Sequence, residues 1–215
     1  MKKTSLMITI LLVTMLLTGC NQQIDIEKRN YVMGLGIDLK DDQFIFAFSF
    51  PDFTALIGTG ENIHYPVVNI EAKSLEEAAA VYARQSNRRL DYGQMQSIIF
   101  GRELLMDKEK MGQVLNEIKE NREFSRTILA CMAEGKADDI IRLDETVNGS
   151  IGIYIRDMFE NNLQQLPHEN ITVGDLIIGI SNPQKDIKIP SVAVDESGII
   201  PNIIGYEVIQ GTSLK

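Results

Sequence analysis

Cys20 is the residue whose type and neighbours carry the clearest chemistry in this sequence. It follows Leu17-Thr18-Gly19, after a basic start at Lys2 and Lys3 and an uncharged apolar run from Leu6 to Leu17. A basic start, a short apolar run and small residues before a cut site make a secretory signal. The run is 12 residues, about 18 Å as helix, whereas a bilayer core of ~30 Å needs about 20. It reads as a leader, not a span. A cysteine directly after Thr-Gly resembles a bacterial lipobox. Cleavage would fall between Gly19 and Cys20, and Cys20 would carry diacylglycerol on sulfur and further acyl chains such as palmitate. Each buried CH₂ adds ~0.8 kcal/mol, and two or more chains anchor stably.

The other chemistry-bearing residues point elsewhere. Cys131 lies in the apolar run Thr127 to Met132 and reads as a buried, inert thiol. The two histidines, His64 and His168, are far apart and have no partner at a diagnostic spacing, so no metal is expected. Asp41-Asp42 and Asp138-Asp139 are adjacent pairs whose side chains diverge, and a turn and a helix start explain them. Gly34-Leu35-Gly36 lacks the third glycine and the following helix of a dinucleotide fingerprint. No Gly-x-Ser-x-Gly or Ser-x-x-Lys is present. The sequence predicts no catalytic residue and no cofactor. Arg84 and Arg88 stand four apart with Arg89 adjacent, which reads as a solvated helix face with a partner or anion contact as the alternative.

These residues need a scaffold. The chain has 215 residues, 44% hydrophobic and 24% charged, with a net charge of −9. That is long enough for a real core without disulfides, and its acidity argues against nucleic acid. Loss of the leader removes Lys2 and Lys3 and leaves 196 residues at −11. Residues 20–30 are polar and read as a lipidated tether, with one domain over 31–215. Tyr31 to Ile37 and Gln43 to Phe50 read as strands, and Phe44, Phe46, Phe48 and Phe50 share one face at period two. Tyr65 to Glu71 is β-rich. Ser74-Leu75-Glu76-Glu77 forms a capping box, followed by an apolar stripe at Leu75, Ala78, Ala79 and Tyr82. Gln94 to Gly101 and Arg126 to Met132 are strands flanking a helix from about Asp107 to Lys119. Helices follow at about 136–142, 150–162 and from Thr172 to 180, then strands at 186–194 and 202–209. The pattern predicts an α+β fold: a mixed β-sheet with several packed helices, a single domain after a cleaved lipoprotein signal.

Several segments together carry a resemblance. They are Thr18-Gly19-Cys20, Ile24 to Glu27, Tyr31 to Asp38, Ser86 to Leu90, Tyr92 to Met95, Ile98 to Gly101, Glu123 to Ala133, Gly135 to Ile140 and Ile189-Pro190. In that order the chain resembles the N-terminal part of the spore germination receptor C-subunit lipoproteins (the Ger(x)C family). Asn21 stands where many members have tryptophan, and members are usually longer, so this chain is expected to lack their later domains. The resemblance implies a non-enzymatic, lipid-anchored subunit on the outer face of the spore inner membrane. It would work through contacts with membrane-embedded A and B subunits, with a small-molecule germinant reached only indirectly. A solute-binding lipoprotein delivering a small ligand to a transporter is the alternative.

Overall fold

A computed structural model describes residues 26–51, 67–147, 149–162, 171–182 and 186–210. Nine strands lie within them: β1 (Arg29–Tyr31), β2 (Gly34–Lys40), β3 (Gln43–Ser49), β4 (Val68–Ala72), β5 (Arg89–Asp91), β6 (Ser97–Gly101), β7 (Leu129–Ala133), β8 (Asp186–Val194) and β9 (Pro201–Gln210). Six α-helices accompany them: α1 (Leu75–Gln85), α2 (Arg102–Met106), α3 (Lys108–Glu120), α4 (Ala137–Ile141), α5 (Ile151–Asn162) and α6 (Val173–Ile180). Seven strands form one sheet in the order β4-β3-β2-β6-β7-β8-β9. The central run β2-β6-β7-β8 is parallel, and the outer strands are antiparallel. This is the expected α+β architecture with a mixed sheet.

Alternation along the strands divides the interior into two layers. Leu35, Ile37, Phe44, Phe46, Phe48, Ile98 and Phe100 face one side and meet α1, α2, α3 and α6. Ala47, Ile99, Cys131 and Ala133 face the other side and meet α4 and α5. Both faces are covered, so β6 and β7 are buried at every residue. Phe44, Phe46, Phe48 and Phe50 do share one core cluster, and consecutive rings of the first three lie 5.9 and 6.4 Å apart.

The helix signals act as the sequence implied, with one shift. Ser74 Oγ accepts from the Glu77 N–H at 3.0 Å, but Glu77 returns its carboxylate to the Lys73 N–H rather than to that of Ser74. The Leu75 N–H is taken instead by Glu117 of α3 at 2.7 Å, which ties the two helices together. On α1, Leu75, Ala78 and Tyr82 are buried. Asp107 caps α3 through the N–H groups of Glu109 and Lys110, and Thr172 and Asp175 form a reciprocal box on α6.

Folding starts earlier than the tether boundary at residue 30 suggests. Arg29–Tyr31 pairs in parallel with Arg89–Asp91, and Asn30 is buried with its amide donating to the Tyr82 hydroxyl at 2.6 Å. Arg29 and Asn30 give no hydrophobic period, so the strand is created by its partner some 60 residues away.

Cys131 is fully buried and free. Burial pushes its thiol well above the usual range, so little thiolate forms at neutral pH. An aromatic disulfide reagent is therefore expected to leave Cys131 unlabelled in the native domain and to label it fully in denaturant. Rapid native labelling would contradict this packing.

Candidate functional site

Parallel strands usually present a ligand site outside their carboxyl ends, where helix N-termini gather. At that edge lie Asp38, two residues before the end of β2, Gly101 at the end of β6 and Ala133 at the end of β7. The place is taken by the chain itself. The Asp38 carboxylate accepts from the Ala137 N–H at 2.7 Å and the Asp138 N–H at 2.9 Å, capping α4 from across the sheet. Lys136, the N-cap residue of α4 in sequence, makes no side-chain cap. Gly101 leaves the room: a Cβ there would lie 2.0 Å from Asp38 Oδ1. Gly36 lets α4 close down in the same way, since its Cβ would meet Ile141 at 2.8 Å and Ala137 at 3.2 Å. The glycines of Gly34-Leu35-Gly36 thus serve helix–sheet contact.

Burial raises the Asp38 carboxyl above its ordinary value, outweighing the two N–H donors, and Asp138 and Asp139 add to the rise. The folded state then binds that proton more tightly than the unfolded chain. The group's contribution is present below the unfolded value and falls as pH rises through the folded one. Asp38→Ala, leaving two helix N–H groups without their acceptor, is expected to cost about 2–3 kcal/mol. Asp38→Asn cannot ionise, so its deficit against the wild type should be larger near about pH 4 than near about pH 7. Urea unfolding at the two pH values measures both.

A second buried polar group lies in the same layer, under α5. Ser49 Oγ donates to Asp144 Oδ1 at 2.8 Å and lies 2.8 Å from Ser150 Oγ, and Asp144 also accepts from the Ile151 N–H at 2.6 Å. All three side chains are buried. Sequence reasoning missed this set, because Ser49 lies 95 positions from Asp144 and 101 from Ser150. It caps α5, with Asp144 accepting from the Ile151 N–H and Ser150 Oγ from the Gly152 N–H, so it holds a helix end. Among the described residues, no group of three or more His, Cys, Asp or Glu is placed to hold a metal ion.

Two open clefts lie among the described residues: one of about 450 Å³ between the start of α1 and the end of α3, whose lining includes Glu76, Glu117 and Glu120, and one of about 440 Å³ between β1, the C-terminal end of α1 and the start of β4. The apolar floor of the second includes Phe50 and Tyr82, with ring centroids 6.0 Å apart. Its polar rim includes Asn30, Gln85, Asn87 and Arg88, and none of the described lining residues is acidic. The basic residues expected on one helix face are distributed differently. Helix α1 stops at Gln85, where Ser86 turns extended (φ −126°, ψ 149°). Arg84 is exposed on the last turn of α1, Arg88 lines the cleft, and Arg89 starts β5 in register with Arg29 of β1. The helix ends because the next residues are claimed by β1, a long-range pairing that no local stop signal announces. Of the three, Arg88 alone is among the described residues lining the second cleft. Gly19 and Cys20 lie outside the described residues, as do both histidines.

A family model described as the spore germination protein N-terminal domain matches residues 22–194. The match starts two residues after Cys20 and ends on the last residue of β8. Comparison with curated proteins and with solved structures gives no match.

Proposed function

The chain belongs to the spore germination protein N-terminal domain family, and from that membership we propose that it is a non-enzymatic subunit of a nutrient germinant receptor. The proposed anchor is lipid on Cys20, at the outer face of the spore inner membrane. The single observation that carries this reading is the family match, which takes in β1 to β8 and all six helices. The interior chemistry supports it. The buried acids Asp38 and Asp144 and the hydroxyls Ser49 and Ser150 are committed to helix ends. Such an interior makes a rigid body suited to work by contact. A lipid tether raises the local concentration of partners on the same membrane, so modest interfaces suffice. Those partners are proposed to be the A subunit and the multi-span B subunit, with the germinant reached through them. No helix among the described residues is long and apolar enough to cross a membrane.

Affinity purification of tagged protein from detergent-solubilised spore membranes tests the proposal. The A-type and B-type subunits should co-purify, and spores lacking the gene should lose a nutrient response while still germinating with a stimulus that bypasses nutrient receptors. An unchanged response to every nutrient in the deletion strain would sink it.

A further inference from the structure

We propose that the cleft between the start of α1 and the end of α3 binds an aliphatic polyamine, its ammonium groups held by Glu76, Glu120 and the Tyr92 hydroxyl. The inference goes beyond the receptor reading and does not depend on lipid at Cys20.

Two independent observations carry it. The first is a polar atom without a partner. Tyr92 lines this cleft and is 4% exposed, and its hydroxyl is buried with no hydrogen-bond partner among the described residues. The ring is held in place, stacked on Phe124 at 4.7 Å and 6.5 Å from Phe48. Buried hydroxyls are nearly always paired, so this one points to a partner from outside the chain. Burial, with the Glu123 carboxylate adding to it, pushes the phenol well above its ordinary range. Tyr92 therefore stays a neutral hydroxyl, whose oxygen can accept from an ammonium.

The second observation is the charge of the cleft. Its described lining holds the carboxylates of Glu76, Glu117 and Glu120 and no cationic side chain. Glu117 is committed to the Leu75 N–H and the Gln113 amide. Glu76 and Glu120 are exposed and make no hydrogen bond or ion pair among the described residues. Glu76 suits the positive end of α1, but Glu117 and Glu120 stand in the last turn of α3, where the helix dipole disfavours negative charge. The cations nearest in sequence, Lys73, Lys119 and Arg122, are not among the described lining residues.

The arrangement selects the ligand class. The acids do not converge as the ligands of a metal ion would. Positive charges strung along methylenes match acceptors spread in this way, and Leu75, Ala79 and Tyr92 give the methylenes an apolar wall. Each ammonium brings N–H donors and no acceptor, which suits a site of carboxylates and a hydroxyl. At about 450 Å³, the cleft has the size of a small-ligand pocket.

The test uses a chain beginning at Asn21, which contains every described element and no lipid, titrated with spermidine in a calorimeter. Binding at one site is expected, with an unfolding midpoint that rises as spermidine is added. Glu76→Gln with Glu120→Gln and, separately, Tyr92→Phe should each weaken binding at least about tenfold. Neither change removes a hydrogen bond made by the free protein, so without ligand both variants should unfold no earlier than the wild type. Glu27→Gln with Glu196→Gln, exposed acids outside the cleft, should bind as the wild type does. No binding, unweakened binding by either cleft variant, or full displacement by magnesium chloride at equal ionic strength overturns the proposal. Tetralysine binding at least about tenfold more tightly than spermidine assigns the cleft to a basic protein segment and overturns it as well.

Discussion

Replacing Gly152 with alanine is expected to destabilise the domain by at least about 3 kcal/mol. Gly152 lies on α5 where that helix crosses the start of β2. A Cβ there would sit 2.1 Å from the Met33 carbonyl oxygen, 2.5 Å from its carbon and 2.7 Å from the Gly34 nitrogen. All three are backbone atoms, so no side chain can rotate away. The contact is tight from both sides, since a Cβ on Gly34 would lie 3.1 Å from the Gly152 Cα. The Met33 oxygen also accepts from the Gln96 N–H at 2.9 Å, which joins β2 to the approach of β6. For alanine to fit, α5 must lift from the sheet. That motion drags Ile155 and Phe159 out of a layer in which both are fully buried. It also pulls the Ile151 N–H from Asp144. Gly135→Ala is the control: a Cβ there meets nothing within 4 Å, and the change should stay within about 0.5 kcal/mol. Urea unfolding of the chain beginning at Asn21 measures both. A Gly152→Ala protein as stable as the wild type would mean that α5 does not seat on β2 as described.

Cys20→Ala is expected to abolish membrane anchoring through lipid. Two acyl chains of ordinary length, at about 0.8 kcal/mol per buried CH₂, contribute well over 10 kcal/mol. In cells fed radioactive fatty acid, wild-type protein should take up label and the variant none. The variant should also migrate as a longer chain, because the leader would no longer be removed at Gly19. Label on the Cys20→Ala protein would refute the anchor.

Local elements were readable because local chemistry makes them. Helices α1, α3 and α6 follow from Ser74, Asp107 and Thr172 as caps and from apolar residues at helical spacing. The aromatic face of β3 follows from alternation. Elements made by distant partners were not readable. Strands β1 and β5 are three residues each and polar at their first positions. Pairing with each other is what makes them strands, and this ends α1 at Gln85. The arginine trio was legible as a set of charges but not as a place, since its geometry depends on that same pairing. The cleft beside Arg88 was invisible for the same reason, as its lining comes from β1, α1 and the ends of β3 and β4.

By itself the sequence determined the α+β class, the family and the position of most helices, because their signals lie in the local pattern of residues, and it is the ground on which the lipid anchor at Cys20 is proposed. Only the tertiary structure decided what the marked residues are for. Asp38 became the cap of a helix about 100 positions away. Gly34 and Gly36 became points where helices touch the sheet, and Arg88 became the edge of a cleft. The physical reason is common to all three: a buried charge, a missing Cβ or a guanidinium acquires its role from atoms brought close by packing, and sequence distance says nothing of that closeness.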